Sequence, residues 1–209
     1  MKIYLFDFDG TLVDSMPSYI SVMLRILDDE NIKYGNDIIK TITPLGFKGT
    51  AEYYQKLGVS LSIEELGRKL GAYAIHEYTY NIPAKKNVET ALRTLKAAGA
   101  SLNVLTASPH ITLDLCLKRL GLFDMFDNVW SCDDFGTTKA DPEIYRSAAK
   151  KLGCDVSEVV FLDDNYNALM TARSAGMRIY GVYDSSSEED TDDIKAISER
   201  YISDFSELI

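Results

Sequence analysis

The stretch KIYLFDFDGTL, residues 2–12, joins an apolar run to two carboxylates and a Gly-Thr pair. Residues 2–6 are almost continuously apolar before the turn, which predicts a short strand of a parallel sheet covered on both faces. Alternation along an extended chain sends Asp7 and Asp9 to the same side, just past the strand end, where open α/β sheets bind ligands. Neighbouring carboxylates repel one another unless a cation lies between them or they have different tasks. The pattern indicates a divalent metal, a carboxylate nucleophile and a carboxylate acid/base, or alternatively a plain Asp-Gly turn.

The second half of the chain repeats one pattern four times: a helical pattern ends in glycine and a short apolar run follows. The glycines are Gly99, Gly121, Gly153 and Gly176, and the runs are residues 102–105, 129–130, 159–162 and 179–182. Glycine just past a helix adopts the left-handed cap conformation at low cost. Helices that alternate with short apolar strands predict an α/β fold. With the first strand, this gives a doubly wound, Rossmann-type parallel sheet of at least five strands.

Residues 16–81 carry helical patterns without a clear strand. The two apolar faces are Ile20, Met23, Leu24 and Leu27, and Ile63, Leu66, Leu70 and Ala74. Ordinary βα connections have about 2–6 residues, so a strandless segment of this length predicts an inserted α-helical cap domain. The core domain is then residues 1–15 and 82–209. The alternative is that these helices pack directly on the sheet as ordinary layers.

The composition of the 209-residue chain limits which partners and which cellular location we expect. A net charge of −10 argues against nucleic acid, which requires a basic face. Apolar stretches stay well short of the ~20 residues of a membrane span, and no signal peptide is visible. The cysteines are scattered and odd in number, as expected for free thiols in a reducing cytoplasm: Cys116, Cys132 and Cys154. We expect a cytoplasmic monomer or weak dimer that binds neither nucleic acid nor membrane, and residues 185–193 predict a solvated acidic loop.

Three more places carry side chains suited to phosphate chemistry. Thr106 ends the second strand, where its hydroxyl and the amides of the next turn, including that of Ala107, can donate to a phosphoryl oxygen. The alternative for Thr106 is capping of the following helix. Lys139 can neutralise charge on a nucleophile and a phosphate, or it can be a surface lysine. Asp163 and Asp164 end another apolar strand, where they suit Mg²⁺ or cap the next helix.

Taken in order, these residues resemble the four-motif signature of the haloacid dehalogenase-like hydrolases, over essentially the whole chain. The four motifs correspond to Asp7-Phe-Asp-Gly-Thr11, Thr106, Lys139 and Asp163-Asp164. Residues 139–145 are similar to the family's Lys-Pro-Asp-Pro-Glu-Ile-Phe, with alanine for the first proline. Residues 163–177 are similar to its Glu-Asp-Ser and Ala-Gly-Met segment. The helical insert resembles the small cap of the phosphoglycolate phosphatase and β-phosphoglucomutase relatives.

The resemblance implies a Mg²⁺-dependent phosphatase that hydrolyses a small phosphorylated metabolite through an aspartyl-phosphate. Asp7 is expected to attack phosphorus, and Asp9 to protonate the leaving oxygen and then activate water. The phosphoryl group is expected to contact Gly10, Thr106, Ala107 and Lys139. The expected metal ligands are Asp7, Asp9 through its backbone carbonyl, and Asp164, with Asp163 as a nearby second acid.

Other branches of the family match less well. Dehalogenase members lack a carboxylate at the second position of the first motif, where this chain has Asp9. Mutase relatives carry a histidine where Tyr19 lies here, and a Lys-Gly-Val-Ser-Arg segment where residues 48–52 read KGTAE. Lys48 is therefore a candidate substrate contact or a surface lysine. The alternatives are a phosphomutase or other phosphotransferase of this fold, and a catalytically idle binding module, against which the four intact motifs argue.

Overall fold

The computed structural model describes residues 2–35, 37–42 and 45–209, and it divides the chain into two compact units. One unit comprises residues 1–15 and 82–209, and the other comprises residues 16–81. The side chains of Lys40, Phe47 and Lys48 lie outside the described set.

A parallel sheet forms the centre of the first unit, in the order β3-β2-β1-β4-β5-β6. The strands of the described residues are β1 (Ile3–Phe6), β2 (Ser101–Thr106), β3 (Asn128–Ser131), β4 (Val159–Asp163), β5 (Arg178–Val182) and β6 (Arg200–Ile202). Every neighbouring pair is parallel, and Phe6 in β1 lies between Val104 in β2 and Leu162 in β4. The predicted α/β class and doubly wound parallel sheet are confirmed, and β6 adds an edge strand that the sequence pattern did not indicate.

Nine α-helices are defined within the described residues. They are α1 (Met16–Asp29), α2 (Ile38–Ile42), α3 (Gly46–Lys56), α4 (Ile63–Tyr80), α5 (Val88–Ala97), α6 (His110–Arg119), α7 (Pro142–Leu152), α8 (Tyr166–Ala175) and α9 (Thr191–Ile197). The four glycines predicted to end helices all have positive φ, between 68° and 108°. Residues 185–190 form a 3-10 turn that leads into α9, so the prediction of a plain loop over 185–193 is wrong, although most of these side chains are exposed. None of the helices in the described ranges combines the length and the apolar character needed to cross a bilayer.

The core of the first unit explains why its strands read as apolar runs. Every residue of β1, β2 and β4 is buried. Leu5 and Phe161 from the central strands pack with Ile144 from α7 and Leu169 from α8, and all four side chains are fully buried. Burying one such side chain stabilises a fold by about 1.5–3 kcal/mol. When helices cover both faces of a strand, the side chains on both faces are buried and contribute to stability. Such a strand is therefore apolar throughout and does not alternate between apolar and polar residues.

The second unit, residues 16–81, has an apolar cluster of its own. The buried members are Val22, Met23, Ile26, Leu27, Ile38, Ile42, Ala51, Tyr54, Val59, Leu66 and Leu70. The Tyr54 hydroxyl donates to the Met23 carbonyl oxygen at 2.8 Å, which satisfies its one polar atom inside the cluster. Ser62 begins α4 with a capping box to Glu65. The predicted faces are correct at Met23 and Leu66, whereas Ile63 is exposed because it is the first residue of α4.

Candidate active site

The two central strands bring the acidic stretches of the sequence together. β1 has β2 on one side and β4 on the other, so the strand order reverses at this point, and open α/β sheets bind ligands at such a point. Asp7 follows β1 directly, and its amide donates to the Leu162 carbonyl at 2.8 Å. Asp163 is the last residue of β4, and Asp164 comes next. Acidic residues 156 positions apart thus lie at one edge of the sheet because parallel strands end there together.

A group of three buried carboxylates forms at this edge. Asp7, Asp163 and Asp164 each offer an oxygen, and these oxygens lie within 4.8 Å of one another. The Lys139 ammonium donates to Asp7 Oδ1 at 2.5 Å and to Asp163 Oδ2 at 2.8 Å. Its side chain is only 15% exposed, so the alternative of a surface lysine is excluded. Three ionised carboxylates with one ammonium leave two negative charges uncompensated, and burying uncompensated charge is costly.

The electrostatics of the group show the same shortage of positive charge. Burial raises the pKa of Asp7 well above its usual value, against the opposing effect of Lys139, and Asp163 and Asp164 raise it further. Burial, followed by the Asp163 and Asp184 charges, raises the pKa of Asp164 to about 7. Burial lowers the pKa of Lys139, but the Asp163 and Asp7 carboxylates outweigh it and the pKa lies well above its usual value. Hard oxygen donors with excess negative charge fit Mg²⁺, so the residues present match the predicted cation.

The segment after β1 supports Asp164 directly. Gly10 has φ of +73°, and a Cβ built on it would lie 2.5 Å from Asp164 Oδ2, so only glycine allows this approach. The buried Thr11 hydroxyl donates to Asp164 Oδ1 at 3.0 Å. The Gly10 amide, a predicted phosphate contact, donates to the Val13 carbonyl at 3.0 Å. Sequence reasoning missed the role of Thr11, although the Gly-Thr pair was visible.

The turn after β2 holds the predicted hydroxyl. Thr106 is buried, and its Oγ1 accepts a hydrogen bond from the Ser108 amide at 3.1 Å. Thr106 does not cap α6, because Pro109 occupies the cap position and no side-chain cap bond is formed there. Ala107 is exposed in the same turn. The Ser108 hydroxyl donates to Asp9 Oδ2, a contact that the sequence did not suggest.

Contacts at the start of α8 show which residue caps this helix. Asn165, and neither aspartate before it, caps α8: its Oδ1 accepts from the Ala168 amide at 3.1 Å. Asp163 Oδ1 accepts from the Asn165 amide at 2.7 Å, which orients the carboxylate that faces Lys139. The Tyr145 hydroxyl lies 3.2 Å from the Lys139 carbonyl oxygen and 3.1 Å from the Ala168 carbonyl oxygen, so the two acceptors share its one proton. The backbone that carries the lysine is therefore tied to α8.

Two predicted site residues remain, Asp9 and Lys48. Asp9 is partly buried, and its carboxyl is not one of the three that form the acidic group. The side chain of Lys48, a candidate substrate contact, lies outside the described residues.

Comparison with known proteins finds relatives in sequence and solved structures of similar fold. A pyrophosphatase PpaX of Bacillus velezensis is 32% identical over 179 residues, covering 85% of this chain and 81% of the relative. A phosphorylated carbohydrates phosphatase of Thermotoga maritima is 27% identical, covering 88% of this chain and 87% of the relative. A solved structure of CbbY from Rhodobacter sphaeroides in complex with phosphate superposes with a TM-score of 0.80 at 20% identity, covering 100% of this chain and 96% of that one.

The family profile described as haloacid dehalogenase-like hydrolase matches residues 1–176. The match spans β1 with Asp7 directly after it, the turn at Thr106, the buried Lys139 and the strand that ends at Asp163. The chain therefore belongs to the haloacid dehalogenase-like hydrolase family.

Proposed function

We propose that this protein is a Mg²⁺-dependent phosphatase that hydrolyses a small phosphorylated metabolite through an aspartyl-phosphate on Asp7. The observation that carries the proposal is the buried group of Asp7, Asp163 and Asp164 around the single ammonium of Lys139. A protein that only binds a ligand would not need a buried carboxylate such as Asp7 paired with a buried lysine at a strand end. Strongly perturbed carboxylates in such a position are typical of catalytic sites.

In the first step, Asp7 attacks the phosphorus atom of the substrate. A carboxylate oxygen forms the new bond to phosphorus, and the electron pair of the ester bond passes to the leaving oxygen. Lys139 contacts Asp7 Oδ1 at 2.5 Å, so its charge offsets the negative charge that gathers around nucleophile and phosphoryl oxygens. The Thr106 hydroxyl and the Ala107 amide are the proposed donors to the phosphoryl group.

Asp9 moves the protons in both steps. Protonated Asp9 gives its proton to the leaving oxygen, so that the product departs as a neutral alcohol. The resulting carboxylate then takes a proton from water while that water attacks the aspartyl-phosphate, which returns Asp7 as a carboxylate and releases phosphate. One residue thus serves as acid and then as base, which restores the starting protonation state after each turnover.

The metal would be held by Asp7, Asp164 and the backbone carbonyl of Asp9, with Asp163 alongside. Bound Mg²⁺ supplies positive charge to the phosphoryl oxygens and offsets the excess negative charge of the three carboxylates. Thr11 and Gly10 orient Asp164 for this task. Asp163 already accepts hydrogen bonds from Lys139 and from the Asn165 amide, so we assign it the task of orienting the lysine.

Substrate choice is assigned to the helical unit, residues 16–81. The named relatives act on pyrophosphate and on phosphorylated carbohydrates, which supports a small soluble phosphate compound as substrate here. Tyr19 lies where mutase relatives have histidine, which favours hydrolysis over internal phosphoryl transfer. A panel of sugar phosphates, phosphoglycolate, nucleotides and pyrophosphate should therefore yield free phosphate from one class with Mg²⁺ present.

The mechanism is tested by trapping the covalent intermediate. Asp7→Asn should be inactive on every substrate because it cannot form the acyl-phosphate. Asp9→Asn keeps its backbone carbonyl and should still react with 4-nitrophenyl phosphate, whose leaving group is acidic, and then stall. Mass spectrometry of rapidly quenched Asp9→Asn should show one added phosphate on the peptide containing Asp7. Asp192→Asn, an exposed residue outside the site, is the matched control and should behave as wild type.

Two results would contradict the proposal. Phosphate on a serine or threonine would show that Asp7 is not the nucleophile. Unimpaired steady-state turnover by Asp9→Asn with no trapped phosphate would show that Asp9 is not the acid/base.

A further inference from the structure

The hydroxyl of Ser108 donates to Asp9 Oδ2 across a separation of 99 residues in the chain. We propose that Ser108 is a positioning residue that fixes the Asp9 carboxyl for proton transfer to the leaving oxygen. This inference rests on the phosphatase function proposed above. It adds to that function a residue outside the four motifs that the sequence matched.

The backbone around Ser108 is fixed from both sides, so its side chain has a defined direction. Its amide donates to Thr106 Oγ1 at 3.1 Å, which closes the turn after β2. Pro109 follows with φ of −70°, and a residue before proline is restricted to extended conformations. The same three-residue turn therefore presents Thr106 toward the buried end of β2 and Ser108 toward Asp9.

The hydroxyl is also not used for a local structural task. Serine next to a helix start commonly caps that helix, but Ser108 makes no cap bond to α6. The turn is instead held by His110, two residues further on, whose Nδ1 and Nε2 lie 2.9 Å from carboxylate oxygens of Asp114 and Asp134 respectively. Asp134 also accepts from the Ser131 amide at the end of β3 at 2.9 Å. The turn that carries Ser108 is thus fixed without its hydroxyl.

A fixed donor on one carboxyl oxygen decides where the transferable proton lies. In the neutral form of Asp9, a Ser108 hydroxyl that donates to Oδ2 directs the acidic proton to Oδ1. In the first step the O–H bond at Oδ1 breaks, and the leaving oxygen gains that proton together with the electron pair of the ester bond. Without the hydroxyl, Oδ2 loses this donor, and the proton of the neutral carboxyl is no longer directed to Oδ1. A positioned general acid contributes about 10²–10⁴-fold, so part of that factor depends on Ser108.

The test compares two leaving groups by kcat/KM, which reports on the first irreversible step. An alkyl phosphate needs a proton on its leaving oxygen, whereas 4-nitrophenyl phosphate does not. For Ser108→Ala we expect kcat/KM to fall about 10–100-fold on the alkyl phosphate and less than about threefold on the aryl phosphate. Ser108→Thr keeps the hydroxyl and should restore most of the loss. Ser174→Ala removes an exposed serine hydroxyl far from this turn in the sequence and should match wild type.

A double variant separates positioning from a general structural effect. Because Ser108 acts through Asp9, adding Ser108→Ala to Asp9→Asn should change the single-turnover rate of 4-nitrophenol release from 4-nitrophenyl phosphate by less than about twofold. Equal losses on both substrates, or losses that multiply in the double variant, would overturn the inference. If wild type hydrolyses neither substrate and cannot be told from Asp7→Asn, the proposed function itself fails. An active wild type with a selective loss in Ser108→Ala supports both.

Discussion

Replacing Gly10 by alanine tests the assignment of Asp164 most directly. The new Cβ would lie 2.5 Å from Asp164 Oδ2 and 2.7 Å from its Cγ, where an ordinary contact needs at least 3.4 Å. The carboxylate must therefore move by about 1 Å, and a displacement of this size in a catalytic group costs about 10²-fold in rate. The hydrogen bond from Thr11 to Asp164 Oδ1 is lost or weakened by the same movement. We expect kcat/KM to fall about 10²-fold and the Mg²⁺ concentration for half-maximal activity to rise.

Alanine at a positive φ also destabilises the fold, and a second glycine measures that contribution alone. Gly153 has φ of +71°, close to the +73° of Gly10, but a Cβ there meets nothing within 4 Å. Both variants should lose about 1–2 kcal/mol of folding free energy from the left-handed backbone conformation. For a chain of this size that corresponds to a decrease in Tm of about 2–8 °C.

The assay is a Mg²⁺ titration of activity together with thermal melting of both variants. Gly153→Ala should show the stability loss with wild-type activity and wild-type Mg²⁺ dependence. Gly10→Ala should show both the stability loss and the catalytic loss. If Gly10→Ala kept the wild-type Mg²⁺ dependence and kcat/KM, the close approach of Gly10 to Asp164 would have no role in activity.

Three further expectations follow from the same geometry. Chelation with EDTA should abolish activity and added Mg²⁺ should restore it, since the three carboxylates fit a hard divalent cation; full turnover in chelator would remove the metal from the mechanism. Thr11→Val should raise the Mg²⁺ requirement with little change in fold, because it removes only the hydroxyl that donates to Asp164; an unchanged requirement would show that Asp164 needs no such support. Hydrogen bonds to Asp114 and Asp134 raise the pKa of His110, so its stabilising contribution is complete below pH ~6.5 and is lost as pH rises through the raised pKa. The Tm difference between wild type and His110→Gln should therefore shrink as pH rises from about 5.5 to 8.5, and a constant difference would contradict the charged form of the ring.

The parts of the fold that could be predicted from the sequence are those whose signals are local. An apolar run followed by Asp7 predicts a buried strand with a carboxylate at its end, and a glycine after a helical pattern predicts a cap such as Gly153. β6 was missed because it has three residues, one of them exposed, which is too short for a periodic pattern. Ile63 was assigned to a buried face because periodicity does not show that it is the first residue of a helix.

The contacts that shape the candidate site were less accessible to sequence reasoning because they join distant segments. Lys139 lies between Asp7 and Asp163, and the first of these contacts spans 132 positions. The Thr11 hydroxyl reaches Asp164 over 153 positions. Nothing in the local sequence of a serine before a proline indicates that its hydroxyl faces Asp9. Such pairings follow from strand order and register, and only the residue types at the strand ends are visible beforehand.

The central place of β1 has a consequence for how the chain folds during its synthesis. β1 ends at Phe6, but its two neighbours begin at Ser101 and Val159. At about 5–20 residues per second, the ribosome needs about 8–30 s between completing β1 and completing the start of β4. During that interval a strongly apolar N-terminal segment has no complete sheet to join, while residues 16–81 already contain all the members of their own apolar cluster. We therefore expect the helical unit to gain structure first on the ribosome and the β1 segment to be one that chaperones bind.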